Sequence, residues 1–321
     1  MSSGKRNTGF AIALAWPETY CKQPGSWYDP LTACLGINRN NYYKAGHAAM
    51  VLIDKQSKEC HYFDFGRYHS PFQHGRVRSA ETDHDLLMTT KALISSDHRK
   101  ITNLQNILSE LQQNKACHGE GNLHASYSQV DFQAAYSKVQ EMQEASPIPY
   151  GPFRFKGSNC SRFVNTAILA GKPHWKYRFR LKYFVPLTPT PMNNVNSLDH
   201  SFIHPALLNG TPFSPTKNLD KKILQSTLQP PGSDSRIPGN AQWLSGEGAG
   251  SWFVLEFLNP HLRVTRYSPE GTVECAGLYK NQDGQGIVAD HSFRVTYPSN
   301  CKVMSLRSKE TELKFERDKA L

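Results

Sequence analysis

Apolar runs and alternating apolar and polar positions predict a series of β-strands in the N-terminal part of the chain. The predicted strands lie at residues 9–16, 47–53, 60–65, 85–88 and 123–127. The polar residues 55–58 form a turn, so the second and third of these strands are expected to pair as a hairpin. Residues 76–78, which contain two arginines, are interpreted as a basic loop.

Apolar residues recur at helical spacing in three further segments. The first predicted helix covers about residues 100–113. The second begins near Asp131, whose side chain can cap a helix, and ends before two prolines at 147 and 149. The third begins at Cys160 and ends at Gly171. Residues 178–186 are predicted to form a strand that follows the third helix.

The composition changes after Pro186, which suggests a second module. Residues 187–242 are rich in Pro, Ser, Thr and Asn, with one amphipathic piece around 221–228. The strands predicted beyond it lie at residues 252–258, 262–267, 272–279, 292–297 and 302–306. The Lys- and Glu-rich end is interpreted as a solvated tail or an edge strand. The expected fold class is therefore α+β, with a first domain at 1–190, in which an antiparallel sheet packs on helices, and a linker plus β-rich accessory module at 191–321.

The charge of the chain allows an anionic partner. The 321 residues carry a formal net charge of +10, which fits nucleic acid, an anionic lipid surface or an anionic polymer. We read no run in which Lys and Arg alternate with exposed aromatic residues, and this argues against nucleic acid. Solvated surface charge is the preferred interpretation, and the same holds for Arg67, Arg76 and Arg78, with binding of a substrate anion as the alternative.

The cysteines argue against a disulfide framework and against a zinc site. The seven cysteines are Cys21, Cys34, Cys60, Cys117, Cys160, Cys275 and Cys301. Their number is odd and no C-x-x-C pair occurs, so a mostly reduced protein without metal or other cofactor is expected. The apolar stretch 10–16 is short for a signal peptide, and no segment is long enough to span a membrane. A cytoplasmic location, or export without a cleaved signal peptide, follows.

The candidate chemistry centres on Cys160 and His47. Cys160 stands at the first turn of a predicted helix, where the helix N-terminus favours the thiolate. His47 stands at the start of a predicted strand. If residues 55–58 form the turn, His47 lies opposite Gly66, and Asp64 shares its face and can orient the imidazole. His61 has the wrong parity unless the hairpin contains a bulge, and Tyr62 is the reserve.

Each of these residues also has a structural interpretation. A single cysteine on an apolar helix is most often a buried packing residue. A single histidine on a strand is also most often structural, and Asp64 could simply pair with Arg67. The position of Cys160 at the helix start, among polar neighbours, favours the catalytic interpretation, as does the joint pattern of a histidine-led hairpin and a cysteine-led helix.

Two motifs resemble the circularly permuted papain-like superfamily, which includes NlpC-like peptidases of the YiiX type and lecithin–retinol acyltransferase-like enzymes. They are GHAAMV at residues 46–51 and NCSRFV at 159–164, with Asp64 on the strand between them. The aromatic segment YGPFRF at 150–155 is similar to the one that often precedes the cysteine. The resemblance covers about residues 9–190, and the family's third residue is usually Glu, His or Gln-like rather than Asp.

The resemblance implies a thiolate that attacks an amide or ester carbonyl and forms an acyl-cysteine. Cys160, His47 and Asp64 would be catalytic, and Tyr150, Asn159 and Ser161 would form the oxyanion and substrate-binding site. A peptide or acyl-amide is the expected substrate, so a thiol-dependent hydrolase of peptide, isopeptide or lipid-amide bonds is the leading hypothesis. An acyltransferase of the lecithin–retinol type and a non-catalytic binding protein on the same fold are the alternatives.

Overall fold

The computed structural model describes residues 7–23, 29–34, 38–117, 119–151, 153–207, 213–217, 220–232, 236–283, 293–309 and 311–321. Within these residues the protein has a mixed α+β fold, with two seven-stranded antiparallel sheets and a small three-stranded sheet. Helices pack on the first sheet, and the second sheet forms a β-rich C-terminal module. The predicted α+β fold class is therefore confirmed.

The described strands are β1 (Gly9–Trp16), β2 (Cys21–Lys22), β3 (Asn38–Arg39), β4 (Tyr42–Tyr43), β5 (His47–Asp54), β6 (Cys60–Gly66), β7 (His74–Arg78), β8 (Leu123–Val130), β9 (Ile148–Pro149), β10 (Asp199–His204), β11 (Gln242–Ser245), β12 (Gly250–Leu258), β13 (His261–Tyr267), β14 (Val273–Asn281), β15 (Arg294–Thr296), β16 (Val303–Arg307) and β17 (Glu312–Ala320). The described α-helices are α1 (Asp29–Cys34), α2 (Leu104–Gln113), α3 (Phe132–Glu144), α4 (Cys160–Ala170), α5 (Trp175–Tyr183), α6 (Pro191–Asn196) and α7 (Lys221–Leu224). Two 3₁₀-helices lie at His84–Leu86 and Lys115–Cys117.

The first sheet, ordered β10-β8-β1-β5-β6-β7-β9, is buried on both faces at its centre. Helix α2 covers one face, where Ile107 and Leu108 pack in one cluster with Ile12. Helices α3 and α4 cover the other face, where Val139 and Phe163 share a cluster with Met50. Burial on two sides explains why β1 and β5 are continuous apolar runs rather than alternating strands.

The second sheet, ordered β11-β12-β13-β14-β17-β16-β15, corrects the expectation for the C-terminal end. Strand β17 lies between β14 and β16, so it is an interior strand and neither a tail nor an edge. Phe315 of β17 is fully buried against the core of this sheet, while its charged neighbours face outward. Leu313 of the same strand also packs against this core, so two apolar side chains hold a strand whose other face is charged.

Three local expectations in the first domain were wrong. Residues 85–88 do not form a strand, because the chain turns through a 3₁₀-helix at His84–Leu86. Residues 76–78 are not a loop but belong to β7, which pairs with β6. Residues 178–186 are largely helical, since α5 spans Trp175–Tyr183. Only Tyr177 and Leu181 of α5 pack into the core, so its sequence lacks a broad apolar stripe.

The junction between the two sheets is polar and buried. Asp83 accepts two hydrogen bonds of 2.7 Å from Arg76 of β7 and one of 3.2 Å from Arg266 of β13. Strand β10 pairs with β8 of the first sheet, although it follows residue 190. The first sheet thus includes a strand from beyond residue 190, and the division of the chain at that residue stays a prediction. Among the described residues, no helix is long and apolar enough to cross a membrane.

Candidate active site

His47 enters β5 through a backbone conformation that requires glycine. Gly46 has a φ of +72°, and a Cβ atom there would stand 3.0 Å from the carbonyl oxygen of Trp16. The indole of Trp16, directly across the ladder in β1, stacks on the imidazole with ring centroids 5.8 Å apart. The histidine is therefore buried and held by the sheet itself rather than by a loop.

Asp64 lies on the face of the sheet that the hairpin argument predicted. Ala49 pairs with Asp64 across β5 and β6, which is the register expected from a turn at 55–58. His47 Nε2 stands 3.5 Å from Asp64 Oδ2, a separation that suits an ion pair and is long for a hydrogen bond. No other partner is present for Nε2 among the described residues. His61 is partly buried on the other face and contacts Phe132 and Tyr136.

Arg78 fixes the carboxylate of Asp64, and sequence reasoning missed this contact. Its guanidinium donates hydrogen bonds of 2.9 and 2.6 Å to the two carboxylate oxygens, and the Tyr62 hydroxyl adds one of 3.1 Å. Arg78 stands directly opposite Asp64 in the β6–β7 ladder. Recognising residues 74–78 as a strand would have revealed the pairing. Asp64 thus pairs with Arg78, whereas Arg67 pairs with Glu247.

Cys160 is the first residue of α4 and is buried. The side chain of Asn159 caps this helix by accepting a 2.8 Å hydrogen bond from the backbone N–H of Arg162. The cap fixes the first turn, so the thiol is held where the helix dipole favours its ionised form. The Oδ1 atom of Asn159 is therefore engaged in capping.

The electrostatics favour a thiolate–imidazolium pair. Burial would raise the pKa of the Cys160 thiol, but the hydrogen bond and charge of His47, with smaller contributions from the Ala48 N–H and the Ser161 hydroxyl, hold it below its ordinary value. Burial would lower the pKa of His47, but the neighbouring Asp64 carboxylate and Cys160 sulfur raise it to about 9. Both shifts favour the form in which the proton resides on the imidazole and the sulfur is ionised.

Asp64 supplies the fixed negative charge of the site. Burial would raise the pKa of its carboxyl, but the charge of Arg78, the proximity of the His47 imidazole and the hydrogen bonds from Arg78 hold it well below its usual range. Asp64 therefore stays ionised at every pH at which the protein is expected to work, and it supports the imidazolium form of His47 throughout.

The other residues expected around the oxyanion lie close to Cys160. The Ser161 hydroxyl is 3.8 Å from the Cys160 sulfur. Tyr150 stacks on Phe65 with ring centroids 5.9 Å apart, and the guanidinium of Arg67 lies 4.9 Å above its ring. Burial, together with the nearby charges of Cys160 and Cys21, raises the pKa of Tyr150 well above its ordinary value, so its hydroxyl remains a hydrogen-bond donor.

The C-terminal module contributes to the surroundings of the site, which the sequence did not indicate. Glu247, between β11 and β12, accepts a 2.6 Å hydrogen bond from Arg67 and a 2.8 Å hydrogen bond from the backbone N–H of Gln73. Arg67 also donates to the backbone carbonyl of Lys22. Arg76 and Arg78 are buried, Arg67 is largely buried, and each of the three lies in an ion pair. They are therefore not the solvated surface charges expected from the sequence.

A buried histidine–serine pair lies at the junction of the two sheets, but its electrostatics do not suit catalysis. His69 Nε2 is 2.8 Å from the Ser251 hydroxyl, and both residues are buried. The other ring nitrogen faces the guanidinium of Arg76 at 3.3 Å, where a catalytic histidine would need a carboxylate. Burial and the charges of Arg266 and Arg76 lower the pKa of His69 well below its ordinary value. This pair serves to join the modules.

No group of three or more His, Cys, Asp or Glu side chains suited to a metal ion occurs in the part of the chain that the structure describes.

Replacing Asp64 with Asn tests the role of the carboxylate. Loss of its charge lowers the pKa of His47 and weakens the ion pair, so the pKa of Cys160 rises. We expect the pH profile of Cys160 alkylation by iodoacetamide to shift upward by about 1–2 units in Asp64→Asn. Tyr62→Phe is the matched control, because it removes a hydrogen bond to Asp64 but no charge. An unshifted Asp64→Asn profile, or an equal shift in Tyr62→Phe, would contradict this role.

The fold places a cysteine at a helix start beside a histidine and a carboxylate on adjacent strands. These are the residue types that a thiol-dependent active site requires. The family of type VI secretion system effector TseH-like proteins matches residues 11–177, and the chain belongs to this family. The matched segment contains Cys160, His47 and Asp64. Residues 241–318 match the DUF6695 C-terminal domain family. These residues form most of the second sheet, and they include Glu247, which contacts Arg67 of the first domain.

One solved structure is similar to this chain. The crystal structure of the type VI secretion system effector TseH aligns with a TM-score of 0.40 and 21% sequence identity, covering 61% of this chain and 89% of that chain. No curated protein matches the chain.

Proposed function

We propose that this protein is a thiol-dependent hydrolase that cleaves an amide bond through an acyl-cysteine, and that it acts as a type VI secretion system effector. The observation that carries the proposal is the buried pair of Cys160 and His47, whose pKa values move in opposite directions. Membership of the TseH-like family supports the effector role.

The chemistry follows from the ion pair. The Cys160 thiolate attacks the carbonyl carbon and forms a tetrahedral oxyanion, which the backbone N–H of Cys160 and the Tyr150 hydroxyl can stabilise. Collapse breaks the C–N bond as the His47 imidazolium transfers its proton to the leaving amine. Neutral His47 then takes a proton from a water molecule as its oxygen attacks the acyl carbon. Collapse of the second tetrahedral intermediate breaks the C–S bond, releases the carboxylic acid and restores the Cys160 thiolate beside the His47 imidazolium. Asp64 keeps the imidazole oriented during both proton transfers.

The placement among permuted papain-like enzymes is part of the proposal. The order of functional residues along the chain, histidine, then carboxylate, then cysteine, supports a permuted arrangement. Ser161, at 3.8 Å from the sulfur, is proposed to contact the substrate. Asn159 is proposed to act by capping the helix that presents Cys160. Peptide, isopeptide and lipid-amide bonds all fit this chemistry, and an alcohol or amine acceptor in place of water would give acyl transfer.

Trapping the acyl-enzyme tests the proposal. We expect incubation with a mixed library of peptide and lipid-amide substrates to yield an intact-mass adduct that maps to Cys160. Cys60 and Cys117 are the internal controls, because both are buried and burial raises the pKa of each thiol to about 12. Iodoacetamide at neutral pH should likewise modify Cys160 faster than either. No adduct, together with Cys160 alkylation no faster than that of the controls, would favour a non-catalytic binding protein.

A further inference from the structure

Helix α5 carries a ridge of aromatic residues that the core does not use. Trp175, Phe179 and Tyr183, spaced four residues apart, lie on its outer face with 71%, 49% and 68% of their surfaces exposed. Phe184 follows with 64% exposed, and its ring contacts Phe179 at 5.6 Å between centroids. Large aromatic side chains clustered in this way on a surface mark an interaction site rather than ordinary surface.

The ridge is flanked by cations. Arg178 and Lys182 lie on one side of it and are exposed, while Lys176 and Arg180 lie on the other and contact Asp199. Residues 175–183 therefore interleave aromatic and basic side chains, contrary to the sequence-based expectation that no such run exists. The expectation was wrong because the exposed face emerges only once this segment is seen as a helix.

The surrounding chain concentrates the positive charge of the whole protein. Residues 145–198 contain no Asp or Glu and eight Lys or Arg, so they carry a formal charge of +8 of the total +10. The eight residues are Arg154, Lys156, Arg162, Lys172, Lys176, Arg178, Arg180 and Lys182. A basic segment with exposed Trp, Phe and Tyr side chains has the chemistry of an interfacial helix, in which aromatic rings enter the headgroup region and cations meet anionic lipid.

Buried amides tie the ridge to the candidate active site. Asn165 of α4 donates a 3.0 Å hydrogen bond to the carbonyl of Leu181 and a 3.1 Å hydrogen bond to the side chain of Asn194. Asn194 in turn donates a 2.8 Å hydrogen bond to the carbonyl of Ser161, next to Cys160. Buried hydrogen bonds therefore link the C-terminal end of α5 to the first turn of α4, which carries Cys160.

We infer that the outer face of α5 docks on the surface of an anionic lipid bilayer. The aromatic ridge enters the interface, and Arg178 and Lys182 pair with lipid phosphates on its edge. Because α5 and the Cys160 turn are linked through buried contacts, docking holds the candidate active site near the membrane. Docking does not depend on the hydrolase chemistry, so the two proposals are tested separately.

Vesicle sedimentation tests this inference with the full-length protein. We expect binding to vesicles of phosphatidylglycerol and phosphatidylcholine at low salt, and much weaker binding to phosphatidylcholine alone. Each cation removed in Arg178→Gln and Lys182→Gln should weaken binding about fivefold. The double variant Trp175→Ser/Phe179→Ser should abolish it. A blue shift of tryptophan emission on binding, lost in Trp175→Phe, would report insertion of this side chain.

Matched variants distinguish this face from general surface effects. Leu93→Ser and Lys115→Gln remove an exposed apolar residue and an exposed cation elsewhere and should leave binding unchanged. Far-UV circular dichroism confirms that each variant is folded. Equal binding to neutral vesicles, equal losses in the control variants, or binding to heparin or nucleic acid without binding to vesicles would overturn the inference. The hydrolase proposal is judged separately, by the acyl adduct on Cys160 without vesicles.

Discussion

Replacing His47 with alanine is expected to lower kcat/KM for amide hydrolysis by about 10⁴-fold or more. Without the imidazolium, the buried Cys160 thiol loses the hydrogen bond and the charge that hold its pKa below the ordinary value. The leaving amine also loses its proton donor. Cys160→Ala should cost at least as much, because it removes the nucleophile.

Kinetics of the double variant give the sharper result. Because His47 and Cys160 act as one unit, His47→Ala/Cys160→Ala should be no slower than Cys160→Ala alone. The measurement is the initial rate on whichever library member forms the Cys160 adduct. His98→Asn, at an exposed histidine, is the control and should retain full activity. Full activity in His47→Ala would exclude the proposed mechanism.

Replacing Asp83 with alanine is expected to destabilise the protein by about 3–5 kcal/mol, measured by urea unfolding. Asp83 is buried between Arg76 and Arg266, whose charges hold its pKa well below the usual range against the effect of burial. Its removal leaves two buried guanidinium groups with one fewer carboxylate between them. The loss should separate the modules as well as lower the free energy of unfolding.

A second ion pair across the same junction provides the matched control. Lys302 contacts Glu81 at 2.8 Å, but both side chains are at least one-third exposed. Solvent screens such a pair, so Glu81→Ala should cost only about 0–1 kcal/mol. Since Asp83 has a lowered pKa in the folded state, its contribution is present at neutral pH and is lost only in acid. A cost below about 1 kcal/mol for Asp83→Ala would contradict the role of this junction.

The register of the β5–β6 hairpin was predicted correctly from the sequence. The polar turn at 55–58 defines a register in which Asp64 and His47 share a face, and the structure has that register. Parity also excluded His61, which lies on the other face. Strand alternation has a period of two residues, so one turn position is enough to assign every side chain of both strands to a face.

The contacts that the sequence analysis missed join segments that are separated along the chain and meet only in the folded protein. Arg78 looked like a loop residue because its strand is short and its segment is rich in polar side chains, yet it lies opposite Asp64. Glu247 reaches Arg67 from a module about 180 residues further along the chain. Neither contact leaves a periodic signal, since each depends on how the sheets are placed and not on spacing within one element.

The sequence by itself determined the elements whose periodicity is local, namely the two buried strands β1 and β5, the β5–β6 hairpin and the helix that begins at Cys160. It also identified Cys160, His47 and Asp64 as one candidate set. Only the tertiary structure decided that Arg78 holds Asp64, that β17 is an interior strand and that α5 is a helix with an exposed aromatic face. These depend on which surfaces the folded chain buries, and burial is a property of the whole packing rather than of any one segment.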